Sequence, residues 1–243
     1  MNIVVYTVIS GDYDKKLIEP KLIDKGINYY CFTDNTSFKS KTWKVLPIEN
    51  RLNLERNDQI SRYYKFFSHK ILPNHDISIY IDGNIEIKCS LYPIINAFNE
   101  SNRCFGCLKH SQRDNLLQEI IACHSLQKFK HDDKQRIFDQ VRFYEEENFS
   151  LLSPLYAAGV LIKKNNNETT KLVETWWNVV QSYTCRDQLS LPYALWKTNV
   201  IPHVISLDIL SENPYFMRIP HTTSFFYHLK KFIKLVFKYS KFK

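Results

Sequence analysis

The stretch Ile77-Ser-Ile-Tyr-Ile81, halted at once by Asp82-Gly83-Asn84, constrains the fold of this chain more than any other. An uncharged run of this length suits a strand buried on both faces, as strands are in a parallel sheet. Ile3 to Ile9 is another such run, and Asn28 to Thr33, Trp43 to Ile48, Arg103 to Leu108 and Tyr156 to Lys163 also read as strands. Between them fall segments of helical spacing. Glu55 to Leu72 places Ile60, Tyr63, Tyr64, Phe67 and Ile71 on one face. Leu116 to Ser125 and Asp132 to Glu147 follow, then Thr169 to Tyr183, whose buried face includes Leu172, Trp176 and Val179 or Val180. Ser190 to Trp196 is a last helix, with Pro192 in its first turn. Strands alternating with helices predict an α/β fold with a mostly parallel, doubly wound sheet flanked by helices. No repeat and no Pro-, Gly- or Ser-rich linker divides the chain, so one domain, 1–224, is expected, followed by a basic tail, 225–243.

Composition narrows the function. With 5 glycines, and neither G-x-x-x-x-G-K-[ST] nor G-x-G-x-x-G, the chain lacks the phosphate loops of P-loop ATPases and dinucleotide-binding enzymes. The net charge of +8 is concentrated at one end, because residues 225–243 hold six lysines and no acid. A nucleic-acid binder carries its basic excess on the folded face that docks, so no nucleic-acid partner is expected. In the tail, Phe225, Leu229, Phe232, Val236 and Phe237 share a helical stripe opposite Lys230, Lys231, Lys234, Lys238 and Lys241. The pattern fits a helix in a membrane interface or one packed on the domain, and the lack of acid favours the membrane. Met1-Asn2 leads into an apolar run with no basic region or cleavage site, and no stretch of about 20 apolar residues follows. A cytoplasmic location is expected, at the inner face of the membrane, with the six cysteines reduced.

Five groups of residues offer chemistry. A buried strand delivers Asp82 to its C-terminal edge, where open α/β sheets bind ligands. Asp82 and Asn84, with Gly83 between, are able to turn oxygens toward one hard cation, Mg²⁺ or Mn²⁺, shared with substrate phosphates. The same letters also signal a hairpin, and Ile85-Glu-Ile87 alternates after the turn. Arg62 and Lys65 share a helix face, which reads as a diphosphate clamp or as a solvated basic face. Arg186-Asp187-Gln188 gathers hydrogen-bonding groups at a helix start, where Asp187 serves either a ligand or the cap. His110-Ser-Gln-Arg113, followed by Glu119, sits in a crevice after a strand or on the surface. Cys104-Phe-Gly-Cys107 with Cys123-His124 lacks the second knuckle of a structural zinc site and reads as core.

Together these pieces resemble a glycosyltransferase-like domain family, first described as a domain of unknown function, of plant mucilage and cell-wall proteins and bacterial polysaccharide clusters. The matching residues are Val5-Tyr-Thr7 with Gly11-Asp-Tyr-Asp14, Tyr30-Cys-Phe-Thr-Asp34, Arg62-Tyr-Tyr-Lys65 with His69, and Tyr80-Ile-Asp-Gly-Asn84. They continue with His110-Ser-Gln-Arg113 and Glu119, Trp176-Trp177, and Arg186-Asp-Gln-Leu-Ser190, in order through nearly the whole chain. That family is similar to GT-A nucleotide-sugar transferases of the glycogenin type. The resemblance implies transfer of a sugar from a nucleotide-diphosphate donor to a glycan or lipid-linked acceptor in surface polysaccharide synthesis. It implies donor contacts at Thr7, Asp34, Arg62, Lys65, Asp82, His110 and Arg113, and sugar-facing catalytic residues Arg186, Asp187 and Gln188. It implies a Mn²⁺ or Mg²⁺ site at Asp82, Asn84 and a late histidine, His221, with His203 second. Asn84 replaces the second carboxylate of those enzymes, so a weaker metal site or metal independence is expected. The rival reading is a non-catalytic glycan- or lipid-binding protein on a decayed transferase fold.

Overall fold

The computed structural model describes residues 1–220 apart from positions 12, 13, 15, 51 and 127–132. His221 and the tail 225–243 lie outside the described residues. Seven strands form one sheet in the order β3-β2-β1-β4-β7-β6-β8. Strand β1 (Ile3–Ile9) is buried at every position and pairs parallel with β2 (Ile27–Thr33) on one side and β4 (Ile77–Ile81) on the other. β3 (Lys44–Pro47) adds parallel to β2. β7 (Tyr156–Lys164) runs antiparallel to both β4 and β6 (Phe105–Lys109), and β8 (His203–Ile205) pairs parallel with β6. The mixed α/β fold with a mostly parallel sheet is thus as the sequence predicts, with β7 reversed inside it.

Each face of the sheet buries a core. Val5, Ile79 and Ile162 pack with Phe98 of α3 (Tyr92–Glu100) on one side. Tyr6, Tyr80 and Leu161 pack on the other with Phe66 of α1 (Asn57–Phe66) and Trp176 of α6 (Asn167–Ser182). A third cluster joins α4 (Leu116–Ser125), α5 (Asp133–Glu146) and α7 (Asp187–Thr198) through Leu116, Tyr144, Leu189 and Tyr193. Trp176 links these layers. It is fully buried, its ring stacks on Phe66 at 4.0 Å, and its Nε1 donates to Asp187 O at 3.1 Å and Ser190 Oγ at 3.0 Å. The indole therefore fills the core and also fixes the start of α7.

Three local readings are corrected. The helix expected over Glu55 to Leu72 breaks at Phe67 (φ −92°, ψ 48°) into α1 and α2 (Ser68–Ile71). Lys163 of β7 takes up the carbonyls of Lys65 at 2.7 Å and Phe66 at 2.8 Å, which a continuous helix would use internally. The hairpin does not form after Gly83. Both edges of β4 are already occupied by β1 and β7, so β5 (Ile85–Ile87) leaves the sheet and pairs with β9 (Phe216–Arg218). Finally, α7 begins at Asp187 rather than Ser190.

Replacing Trp176 with Ala removes a large core ring and two hydrogen bonds, and is expected to cost about 3–5 kcal/mol. Urea denaturation measures it, and a cost below about 1 kcal/mol would contradict the central place given to this side chain.

Candidate active site

From β1 the chain adds β2 and β3 on one side, then returns to place β4 on the other. Such a reversal opens a crevice at the C-terminal ends of the strands, where ligands bind. Asp34 stands at the end of β2, exposed, with Oδ2 accepting from Gly11 N at 2.7 Å. Asp82 follows β4. Its backbone N–H donates to Gly159 O at 2.9 Å, and its Oδ1 accepts from Tyr80 Oη at 2.8 Å and lies 3.5 Å from Lys65 Nζ. Burial, reinforced by Asp82, holds the Tyr80 hydroxyl well above its ordinary range, so it stays a donor. Asp82 keeps 40% of its side chain exposed and faces the crevice as the accessible carboxylate of this group.

Two glycines make this geometry possible. A Cβ on Gly159 would sit 3.2 Å from Asp82 Oδ2, so the bare backbone of β7 leaves the carboxylate its space. A Cβ on Gly83 would fall 2.9 Å from Ile9 Cγ1 and 3.3 Å from Asp14 Oδ2. The turn is pressed onto the end of β1, and Asp14 is a further carboxylate at this edge that the sequence reading did not assign.

Behind Asp82 lies an ion group. Lys65 is 3% exposed, with Nζ 2.6 Å from Asp187 Oδ2 and 4.7 Å above the Tyr80 ring. Arg62 Nε lies 3.5 Å from the same oxygen. Burial pushes the Asp187 carboxyl up, but Arg62 and Lys65, with Arg186, outweigh it and hold it well below the usual range. Burial pushes Arg62 down, and Asp187, with Tyr80 and Asp82, more than reverses that. Lys65 is therefore not on a solvated face. Nor does Asp187 cap α7: Arg186 is the N-cap and makes no side-chain cap bond.

The remaining motifs meet where the start of α7 reaches α4. Glu119 is fully buried in α4; it forms an ion pair with Arg113 Nε, lies 3.6 Å from an Arg186 terminal nitrogen, and accepts from Cys123 Sγ at 3.1 Å. His110 Nδ1 accepts from the Gln112 and Arg113 amides at 3.3 and 3.1 Å, and Arg113 Nη2 faces His110 Nε2 at 3.2 Å. Gln188 is half-buried and its side chain makes no hydrogen bond among the described residues. Thr7 is placed differently: strand alternation sets it with Val5 and Ile9, on the face opposite Tyr6 and the Lys65 group.

Asn84 is 6% exposed; its Nδ2 donates to Ile219 O at 3.1 Å, while Ile219 N donates back to Asn84 O at 2.8 Å. A cavity of about 560 Å³ opens beside it, lined by Lys88, Ser211, Glu212, Phe216 and Arg218 among others. The oxygens of Asp82 and Asn84 suit a hard cation that completes its shell with substrate phosphates and water. Among the described residues no three of His, Cys, Asp and Glu gather into a metal site. His203 is not near this edge: β8 lies three strands from β4, and its ring meets Phe98 at 6.0 Å.

Lys163 carries no sequence signal of a role beyond being a charge inside a strand. It is 1% exposed and also donates to Tyr6 Oη at 2.9 Å. Burial, with Lys65 adding to it, lowers its affinity for the proton.

A family model described as TOD1/MUCI70, glycosyltransferase-like domain, matches residues 1–213. A protein of Arabidopsis thaliana named probable hexosyltransferase MUCI70 is 26% identical over 157 residues, covering 61% of this chain and 26% of its own length. The chain thus spans about a quarter of the length of that curated relative.

Asp187→Asn leaves the buried Lys65 without its carboxylate, at an expected cost of about 3–5 kcal/mol in stability at neutral pH. The wild type should also lose stability on acidification in two stages. His69, lowered to about 4 chiefly by burial, is protonated first in the unfolded chain, so stability falls as pH drops from about 6.5 toward 4. Asp187, whose folded value is depressed, adds its stabilisation fully above about pH 4, and that is lost as pH falls further. Chemical denaturation across pH checks both: His69→Gln should flatten the first stage and Asp187→Asn the second.

Proposed function

Because the chain belongs to the TOD1/MUCI70 glycosyltransferase-like domain family, we propose that it transfers a hexose from a nucleotide-diphosphate donor to a glycan or lipid-linked acceptor. The observation that carries this reading is the exposed Asp82 carboxylate at the switch point, aimed by Tyr80 and Lys65 and given room by Gly159. In the reaction, the bond from the sugar's anomeric carbon to a phosphate oxygen breaks and a bond to an acceptor hydroxyl oxygen forms. The nucleoside diphosphate departs with added negative charge, and the hydroxyl proton passes to its freed phosphate oxygen or to solvent. A divalent cation, Mg²⁺ or Mn²⁺, held by Asp82 and Asn84 together with the donor phosphates, would neutralise part of that charge.

The chain's own groups divide the remaining work. Asp187 is bonded to two cations and resists protonation, so it holds Lys65 and Arg62 in place rather than removing the acceptor proton. Gln188, beside it and without another partner among the described residues, is placed to hydrogen-bond sugar hydroxyls. The cavity beside Asn84 is our choice for the acceptor, since it adjoins the turn that follows β4. The basic tail, 225–243, is proposed to hold the enzyme at an anionic membrane surface.

A thermal-shift screen of UDP-, GDP- and dTDP-sugars with and without Mn²⁺ should find one that stabilises the wild type, followed by a transfer assay. Asp82→Asn is expected to lower kcat/KM by about 100-fold with little change in Tm. Gly159→Ala should lower it in the same direction, by crowding the Asp82 carboxylate. Wild-type transfer by Asp82→Asn would sink the reading. Binding of no donor under either condition would leave the non-catalytic binding protein in its place. Separately, the full chain should co-sediment with vesicles containing anionic lipid, and a chain ending at residue 224 should not.

A further inference from the structure

The charges at the site do not balance evenly. On the Asp82 side, Lys65 and Arg62 face Asp187 and Asp82, two cations against two carboxylates. That group is close to neutral by itself, and the Lys65 ammonium is already bonded at 2.6 Å. Beside the α7 start, Arg113 and Arg186 share the carboxylate of Glu119. Among the described ion pairs one positive charge is left over there; Arg113 turns its terminal nitrogens to Gln112 Oε1 at 3.5 Å and His110 Nε2 at 3.2 Å, neutral partners that leave its charge uncompensated. Arg113 and Arg186 keep 15% and 27% of their side-chain surface exposed, whereas Glu119 has none. The buried Nε atoms lie on the inner side of each fork, so the exposed remainder lies toward the outer part. Both arginines are anchored from behind, and Arg186 directly precedes Asp187 at the crevice.

We propose that Arg113 and Arg186, clamped by Glu119, form the anion subsite that receives the departing diphosphate, with Glu119 as their positioning residue. This rests on the transferase reading above and reassigns the diphosphate from Lys65 and Arg62 to the arginine pair. The chemistry fits: guanidinium forks match phosphate oxygens two at a time, and each remains charged at any working pH. A carboxylate with no exposure contributes little to a ligand directly. Its value lies in removing the rotational freedom of two long side chains before the ligand arrives.

Isothermal titration of inorganic pyrophosphate into the folded full chain, in EDTA and in Mg²⁺, tests this. Arg113→Ala and Arg186→Ala should each weaken binding by about 10-fold or more, while Lys171→Ala, on the exposed side of α6, stays within about 3-fold. Glu119→Gln separates positioning from charge. Removing a negative charge should by itself tighten anion binding, but loss of the clamp should weaken it, and weakening is expected, on samples shown by circular dichroism to remain folded. Tighter binding by Glu119→Gln would overturn the positioning role. Loss in Arg62→Ala with none in Arg113→Ala and Arg186→Ala would overturn the subsite. Failure of the wild type to bind pyrophosphate or any sugar nucleotide would instead overturn the transferase reading, and this inference with it.

Discussion

The Asp187 carboxylate, shared by Lys65 and Arg62, is the interaction on which the rest of the site depends. It joins residues 122 positions apart in sequence. It brings the start of α7 against the end of α1, and Lys65 in turn reaches the carboxylate that ends β4. Taking an ammonium and a carboxylate out of water is costly unless each keeps good partners. Here both do: Lys65 has Asp187, Asp82 and the Tyr80 ring, and Asp187 has two cations and the Gln188 amide. The surrounding core serves this arrangement. Trp176 bonds the Asp187 carbonyl, and Lys163 with Tyr6 holds the carbonyl end of α1 from which Lys65 extends.

Much of the fold was legible in the sequence because its signals are local. Ile3 to Ile9 and Ile77 to Ile81 announce themselves as buried strands, since the residues that form them also fill both faces of the sheet. Of the elements that escaped reading, the helix α3 is local, while the others, and the pairing of β5, depend on a distant partner. β5 and β9 are each three residues long and exist as a pair across 130 positions of chain, and β8 needs the edge of β6. The break at Phe67 was invisible for the same reason: a lysine nearly 100 residues later occupies the carbonyls that a longer helix would use.

The site divides along the same line. Asp82 was legible, because a carboxylate ending a buried strand needs no partner to be noticed. The meaning of Asp187 was not. Its position at a helix start suggested a cap or a ligand contact, and only the ion pairs reaching it from α1 show it as an anchor for two cations. Gly159 and Lys163 act through other residues, by leaving space and by ending a helix, and neither role has a sequence pattern; Glu119 stood out beside Arg113, but not as a clamp on Arg186. Membership of the glycosyltransferase-like family supports the transferase reading proposed for this edge.

The central claim is that the Lys65–Asp187 pair welds α1 to α7. A double-mutant cycle of Lys65→Met and Asp187→Leu, followed by equilibrium denaturation, tests it most directly. Each single change should be strongly destabilising, because it strands a buried charge, and the double variant should recover much of the loss. A coupling energy of about 2 kcal/mol or more is predicted. Additive effects, with coupling within about 0.5 kcal/mol of zero, would contradict it.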